Sequence, residues 1–179
     1  MDEQFDLDKP QGTPRFKIIS RNAGVFAMLL IIMLLMTHIF RETMMEKNTL
    51  ISWVEYGLLL IAIIITQLQV RENSYNGIMP FGSAFSTGLI FTLLVAAIYS
   101  VFTLIFFIAI GPELLQDMRT IAENSLREKG MSDEEVQAGM KFVNMSFTPV
   151  GMFIMVLFGF SFFGVILTLI ASLFTGRTR

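Results

Sequence analysis

Residues 84–110 read AFSTGLIFTLLVAAIYSVFTLIFFIAI, without one charged side chain. A helix rises about 1.5 Å per residue, so roughly 20 residues cross the hydrocarbon core of a bilayer. This run is longer than needed, which calls for tilt or a start inside the interface. Three further blocks approach the same length: 23–40 (AGVFAMLLIIMLLMTHIF), 51–70, and 150–174 with its phenylalanine-rich FGFSFFGVILTLIASLF. Backbone amides in lipid find no water to bond, so each block is expected to be a helix. The fold class that follows is all-α integral membrane, with four transmembrane helices.

Composition agrees. Of 179 residues 54% are hydrophobic and only 16% charged, where soluble domains carry about 25% charged residues. The net charge of −2 leaves no dominant basic surface, so nucleic acid is not an expected partner. There is no cysteine and one histidine, His38. Disulfides, thiolate chemistry and metal sites are therefore not expected, and no cofactor is implied.

Orientation is read from Lys and Arg beside the spans. Lys9, Arg15, Lys17 and Arg21 precede span one, Arg71 lies between spans two and three, and Arg177 and Arg179 end the chain. The other side has Arg41 and Lys47 together with Arg119, Arg127, Lys129 and Lys141, the last four set among seven acids and mostly far from the spans. Both termini are thus expected in the cytoplasm. The leader carries Asp2, Glu3, Asp6 and Asp8, and no small-residue cleavage site follows the first block, so that block reads as an uncleaved anchor. Residues 1–20 read as a disordered cytoplasmic tail, and 21–179 as one membrane domain.

The sizeable segment outside the bilayer is 112–147, read as an extracytoplasmic helical hairpin. Pro112 suits a first helical position, and Leu114, Leu115, Met118, Ile121, Ala122 and Leu126 fall on one face. Gly130 can end that helix in the left-handed conformation. Ser132 with Glu135 forms a capping-box signature, Val136, Met140, Val143 and Phe147 continue an apolar stripe, and Pro149 breaks the helix before span four. The stripes can pack together, lie on the membrane surface, or dock a partner.

Membrane helices associate through close packing, which small residues permit. Ala84, Gly88, Thr92, Ala96 and Ser100 recur every four residues in span three. Ser161, Gly164, Thr168, Ala171 and Ser172 share a face of span four. These rows are expected contact surfaces, whereas Phe153, Phe160 and Phe163 are expected to face lipid or a partner subunit.

Charge inside the bilayer is costly, so each ionisable residue there is a candidate by default. Glu55 and His38 qualify. Both should lie near the noncytoplasmic interface, where they can pair as a proton or ion site. The plainer reading is interfacial anchoring beside the belt residues Trp53 and Tyr56. Gln67 and Gln69 mark the cytoplasmic end of span two and suit bridging to neighbouring helices or headgroups. No nucleophile–base pair, glycine-rich phosphate loop or metal-spaced cluster occurs, so no catalytic residue is nominated and the protein is expected not to be an enzyme.

The cytoplasmic turn between spans two and three carries Arg71, Tyr75 and Gly77, then Ile78, Pro80, Phe81, Gly82, Ala84, Phe85 and Gly88 at the opening of a helix. Gly77 permits a positive φ, Pro80 suits a first helical turn, and Gly82 is expected to remove bulk where helices two and three meet. With Glu55-Tyr56-Gly57, Tyr99 followed by Gly111-Pro112, and Phe163-Gly164-Val165-Ile166, this pattern resembles a membrane family catalogued as domain of unknown function 4199, found mainly in Bacteroidota. The chain departs from the family at Met79-Pro80, where Ser usually precedes Phe-Gly. The resemblance implies a four-helix protein of the bacterial inner membrane with an acidic external segment. It also implies a candidate partner, a membrane-associated family 2 glycosyltransferase, because members are often encoded near one.

Two function classes follow. The first is an accessory or scaffold subunit that packs in the lipid bilayer against another integral membrane protein or itself. The second is a small oligomeric transporter or channel that uses Glu55 and His38. An enzyme acting on lipid-linked substrate would need a headgroup held beside Arg71 or Arg21.

Overall fold

The computed structural model describes residues 13–40 and 48–176, the side chains of 48–50 excepted. Expectations that fall on 1–12, Arg41, Lys47, Arg177 and Arg179 lie outside the described residues. Among the described residues six α-helices follow in order: α1 Arg15–Ile39, α2 Asn48–Ser74, α3 Phe81–Ala109, α4 Pro112–Glu128, α5 Asp133–Ser146 and α6 Pro149–Thr175. Four are long and apolar enough to cross a membrane: Arg15–Ile39, Ile51–Ser74, Phe81–Ala109 and Pro149–Thr175. No strand occurs among the described residues. This is the architecture of a multi-pass membrane protein.

Helix α1 begins at Arg15, inside the stretch 1–20 read as tail. The early start has a cause: Ile18 and Ile19 are buried in the core, and Arg15 donates to Ser86 Oγ on α3 at 2.9 Å. Local polarity around 15–21 hides this, because the helix is held by packing rather than by an apolar run.

Helix α3 is central. It lies along α6 over the longest interface and also packs against α1 and α2, while α2 touches α1 and α6. The α3–α6 seam is built on small residues. A Cβ on Gly88 would come within 2.7 Å of Thr168 Cγ2, and one on Gly164 would overlap the Thr92 methyl. Each helix thus offers a glycine hollow to the other's threonine, in an antiparallel register with a four-residue step. Ala84, Gly88, Thr92, Ala96 and Ser100 are buried, as are Gly164, Thr168, Ala171 and Ser172, whereas Ser161 is half-buried and donates to its own Leu157 carbonyl at 2.6 Å. The hydroxyls of Thr92 and Thr168 are buried with no hydrogen-bond partner. Their methyl groups are what the seam uses.

Phe160 corrects an expectation. It is buried rather than turned to lipid, with Tyr99 edge-on at 5.4 Å and Tyr56 at 5.7 Å between ring centroids. In a phenylalanine-rich run, ring count does not tell which faces point inward. Phe163 remains substantially exposed and Phe153 half-buried.

Beyond α3 the chain folds back on the bundle. Gly111 makes this possible, since a Cβ there would come within 2.7 Å of the Phe106 ring and 3.0 Å of His38 Nδ1. Leu114 and Leu115 then bury against Phe106 and Phe107. Pro112 stands in the first turn of α4, and Gly130 after it has φ +74°. Helix α5 opens with a complete capping box: Ser132 N–H donates to Glu135 Oε2 at 2.9 Å, and Glu135 N–H to Ser132 Oγ at 3.4 Å. That backbone donor, then the Ser132 hydroxyl, hold the Glu135 carboxyl below the usual carboxylate range. The two helices meet closely at Gly139, where a Cβ would come within 2.9 Å of Leu126 Cδ1. Thr148 caps α6 by accepting from Gly151 N–H at 3.0 Å, with Pro149 beside it in the first turn.

Candidate functional site

Two constellations of polar groups sit at opposite ends of the bundle. At the Arg71 end, Gln67 is fully buried on α2. Its Nε2 donates to the Ala84 carbonyl of α3 at 3.0 Å and to Ser172 Oγ of α6 at 2.9 Å, while its Oε1 accepts from Thr175 at 2.8 Å. Three helices are joined through one amide. Asn22 of α1 donates to Thr66 Oγ1 at 3.1 Å and to Gln69 Oε1 at 3.0 Å on α2, and Arg21 adds a contact to Gln69 at 3.2 Å. Gln67 and Gln69 do bridge helices, by different faces to different neighbours.

The turn that follows belongs to the same polar end. Arg71 bonds Glu72 Oε1 at 3.0 Å and the Thr175 carbonyl at 3.3 Å. Tyr75 is buried, and Asn76 and Gly77 carry positive φ of 49° and 87°. Only the glycine was foreseen. Pro80 is the N-cap rather than a first-turn residue, and Phe81 opens α3 stacked on Phe85 at 6.4 Å. Gly82 removes no bulk between helices, for a Cβ on it would meet nothing within 4 Å. The segment just before α1 also reaches this turn: Ser74 Oγ donates to the Thr13 carbonyl at 2.7 Å.

The Glu55 end is different. A cavity of about 420 Å³ lies among α1, α2, α3, α4 and α6. Glu55 and Tyr56 from α2 line it opposite Tyr99 and Thr103 of α3, with Met118 of α4 and Met155, Gly159 and Phe160 of α6 around them. Tyr56 also packs on Phe163 at 4.7 Å. Thr103 and Thr37 line the cavity too, but each donates to its own helix, to the Tyr99 carbonyl at 2.8 Å and the Met33 carbonyl at 3.0 Å. The half-buried Glu55 carboxylate makes no hydrogen bond or ion pair with any described residue. It is the one carboxyl that faces this space among the described residues.

His38 does not join it. Its Nε2 is 3.7 Å from Glu113 Oε1 on α4, and its ring stands edge-on to Phe106 at 5.5 Å, with Nδ1 buried and unpaired. The fold-back at Gly111 supplies the nearer carboxylate, so the proposed Glu55–His38 pair is not formed. No group of three or more potential metal ligands occurs among the described residues.

A family model described as "Protein of unknown function (DUF4199)" matches residues 22–177. Neither a curated protein nor a solved structure matches the chain.

Proposed function

The chain belongs to the family of unknown function DUF4199, and from that premise we propose that it is a non-enzymatic accessory or scaffold subunit of a bacterial inner-membrane complex. Both termini face the cytoplasm in this reading, and α4 and α5 form an extracytoplasmic hairpin. The observation that carries it is the use of polar groups. At the Arg71 end they are spent on joining helices to each other, while the outer side of α6 presents bare apolar groups, among them Phe158, Phe162, Leu173 and Phe174. Such a face meets lipid or the helix of another integral membrane protein, a second copy included. A membrane-associated glycosyltransferase is one partner of this kind, as the family resemblance implies. Photo-crosslinking from position 162 in native membranes tests this. One protein captured in near-stoichiometric yield is the expected result, and crosslinks to lipid alone would sink the reading.

The cavity favours a second reading, a small oligomeric transporter whose ion or proton site is Glu55, with His38 held apart by Glu113. In proteoliposomes Glu55→Gln should then abolish flux or its pH response, and unchanged flux would exclude this role.

A further inference from the structure

We propose that the Glu55 cavity is a binding site for an amphipathic molecule carrying a single ammonium group on an apolar body. Such a site belongs to the chain itself, whether or not the chain also serves as a subunit.

The lining decides the ligand class. Glu55 is the one ionisable carboxylate among the described residues that line the cavity, and no Lys, Arg or His stands with them. An anion would therefore meet repulsion without a counter-charge. A divalent metal would find one carboxylate where it needs several oxygen donors, in keeping with the lack of any three-ligand group among the described residues. A sugar or other polyol needs many directed hydrogen bonds, yet the Thr37 and Thr103 hydroxyls already donate within their own helices, and beside Ser52 the described wall adds only the Tyr56 and Tyr99 hydroxyls. What remains is a cation of one charge.

The rest of the wall suits its body. Tyr56, Tyr99 and Phe160 form a tilted aromatic cluster, with centroid separations of 5.7 and 5.4 Å, beside the carboxylate. Ring faces attract an ammonium and pack against its alkyl or aromatic tail. Met118, Met152 and Met155 complete the apolar wall, and unbranched thioethers adapt to tails of varied shape. The volume of about 420 Å³ falls within the range of about 300–1,000 Å³ typical of small-molecule sites. A carboxylate with no partner among the described residues, beside an apolar wall, is costly to keep inside a membrane protein, and a bound ammonium offsets that cost.

The test uses the full chain in dodecyl maltoside, a detergent without an ammonium. Calorimetric titration compares 3-phenylpropylamine with 3-phenylpropanol and 3-phenylpropanoate, which share its body and differ in charge. The amine should bind tighter than the alcohol by about tenfold, as one charge-assisted contact provides, and Glu55→Gln should abolish that preference. Gly159→Leu gives an independent check that leaves the charge in place. A Cβ at Gly159 faces only the Tyr56 hydroxyl, at 3.9 Å, so the larger side chain fills the cavity and should weaken all three probes. Native mass spectrometry with added phosphatidylethanolamine or phosphatidylglycerol separates the sources. Selective, Glu55-dependent retention of the former identifies a lipid headgroup as the ligand, and retention of neither identifies a free amine. Equal binding of the three probes, no amine binding, or an amine preference that survives Glu55→Gln would each overturn the proposal.

Discussion

At the Arg71 end each of the four long apolar helices is tied to a neighbour by side-chain hydrogen bonds, whereas at the Glu55 end the helices line a half-open cavity and meet through aromatic rings and methionines. The difference concerns what each end can tolerate. Directed bonds and glycine hollows admit one geometry, so the Arg71 end fixes how the helices sit. Ring and thioether contacts lose little when they shift, so the Glu55 end can adjust around a guest. A carboxylate with no partner among the described residues is tolerated at the second end and would be strongly destabilising at the first.

The largest test of this contrast lies within α6, at two glycines. Gly164→Leu should lower the unfolding free energy by about 3 kcal/mol through overpacking against Thr92, read by circular dichroism during unfolding in mixed micelles. Gly159→Ala should instead raise it by about 0.5–1 kcal/mol, because the cavity has room and alanine is the better helix former. A loss below about 1 kcal/mol for Gly164→Leu would mean that the seam is looser than described.

Next in size is the exchange of polar groups between the ends. Gln67→Leu should cost about 1–2 kcal/mol by the same measurement. The cost is bounded because Ser172 and Thr175 keep their own helix carbonyls, Thr168 O at 2.7 Å and Ala171 O at 3.0 Å. Glu55→Gln should cost nothing or stabilise slightly, since no bond is lost. If the glutamate change proved the more damaging, the division between a structural and a receptive end would fail.

Smaller still is a threonine comparison within the seam. Thr168→Val should stay within about 0.5 kcal/mol, for its buried hydroxyl has no partner to lose. Thr175→Val should cost about 1 kcal/mol, because its hydroxyl reaches Gln67.

The mildest effect is confined to α5. The Glu135 carboxyl is held below its ordinary value by the capping box, so its ionised form adds stability that is present above the unfolded pKa of about 4.3. That stability is lost as pH falls through the lowered folded value. Hydrogen exchange in the first turn of α5 should therefore quicken below the ordinary carboxylate range, with the α3–α6 seam unchanged.

The four long apolar helices, the row from Ala84 to Ser100 and, apart from Ser161, the row on α6 were legible because their signals are local: apolar length, and small side chains three or four residues apart. The Ser132–Glu135 cap was legible for the same reason. What escaped depended on a third element. Gln67 could be read as a bridge but not as the junction of α2, α3 and α6. The environment of His38 turned on a fold-back at Gly111 that brings Glu113 near. The Glu55 cavity requires five helices to be placed before it exists. Phe160 and Phe163, three residues apart on one helix, differ in burial because Tyr99 covers only one of them.

The alternation of glycine and threonine along α3 and α6 also sets how this bundle can move. Sliding one helix past the other by a turn in one direction would set Thr92 against Thr168, two branched side chains where each now fills a hollow. In the other direction Gly88 would face Gly164, leaving a void. Neighbouring registers are thus closed on both sides. A shear of α3 along α6 is therefore disfavoured, and a motion that opens the cavity is expected to move α1, α2 and α4 against that pair.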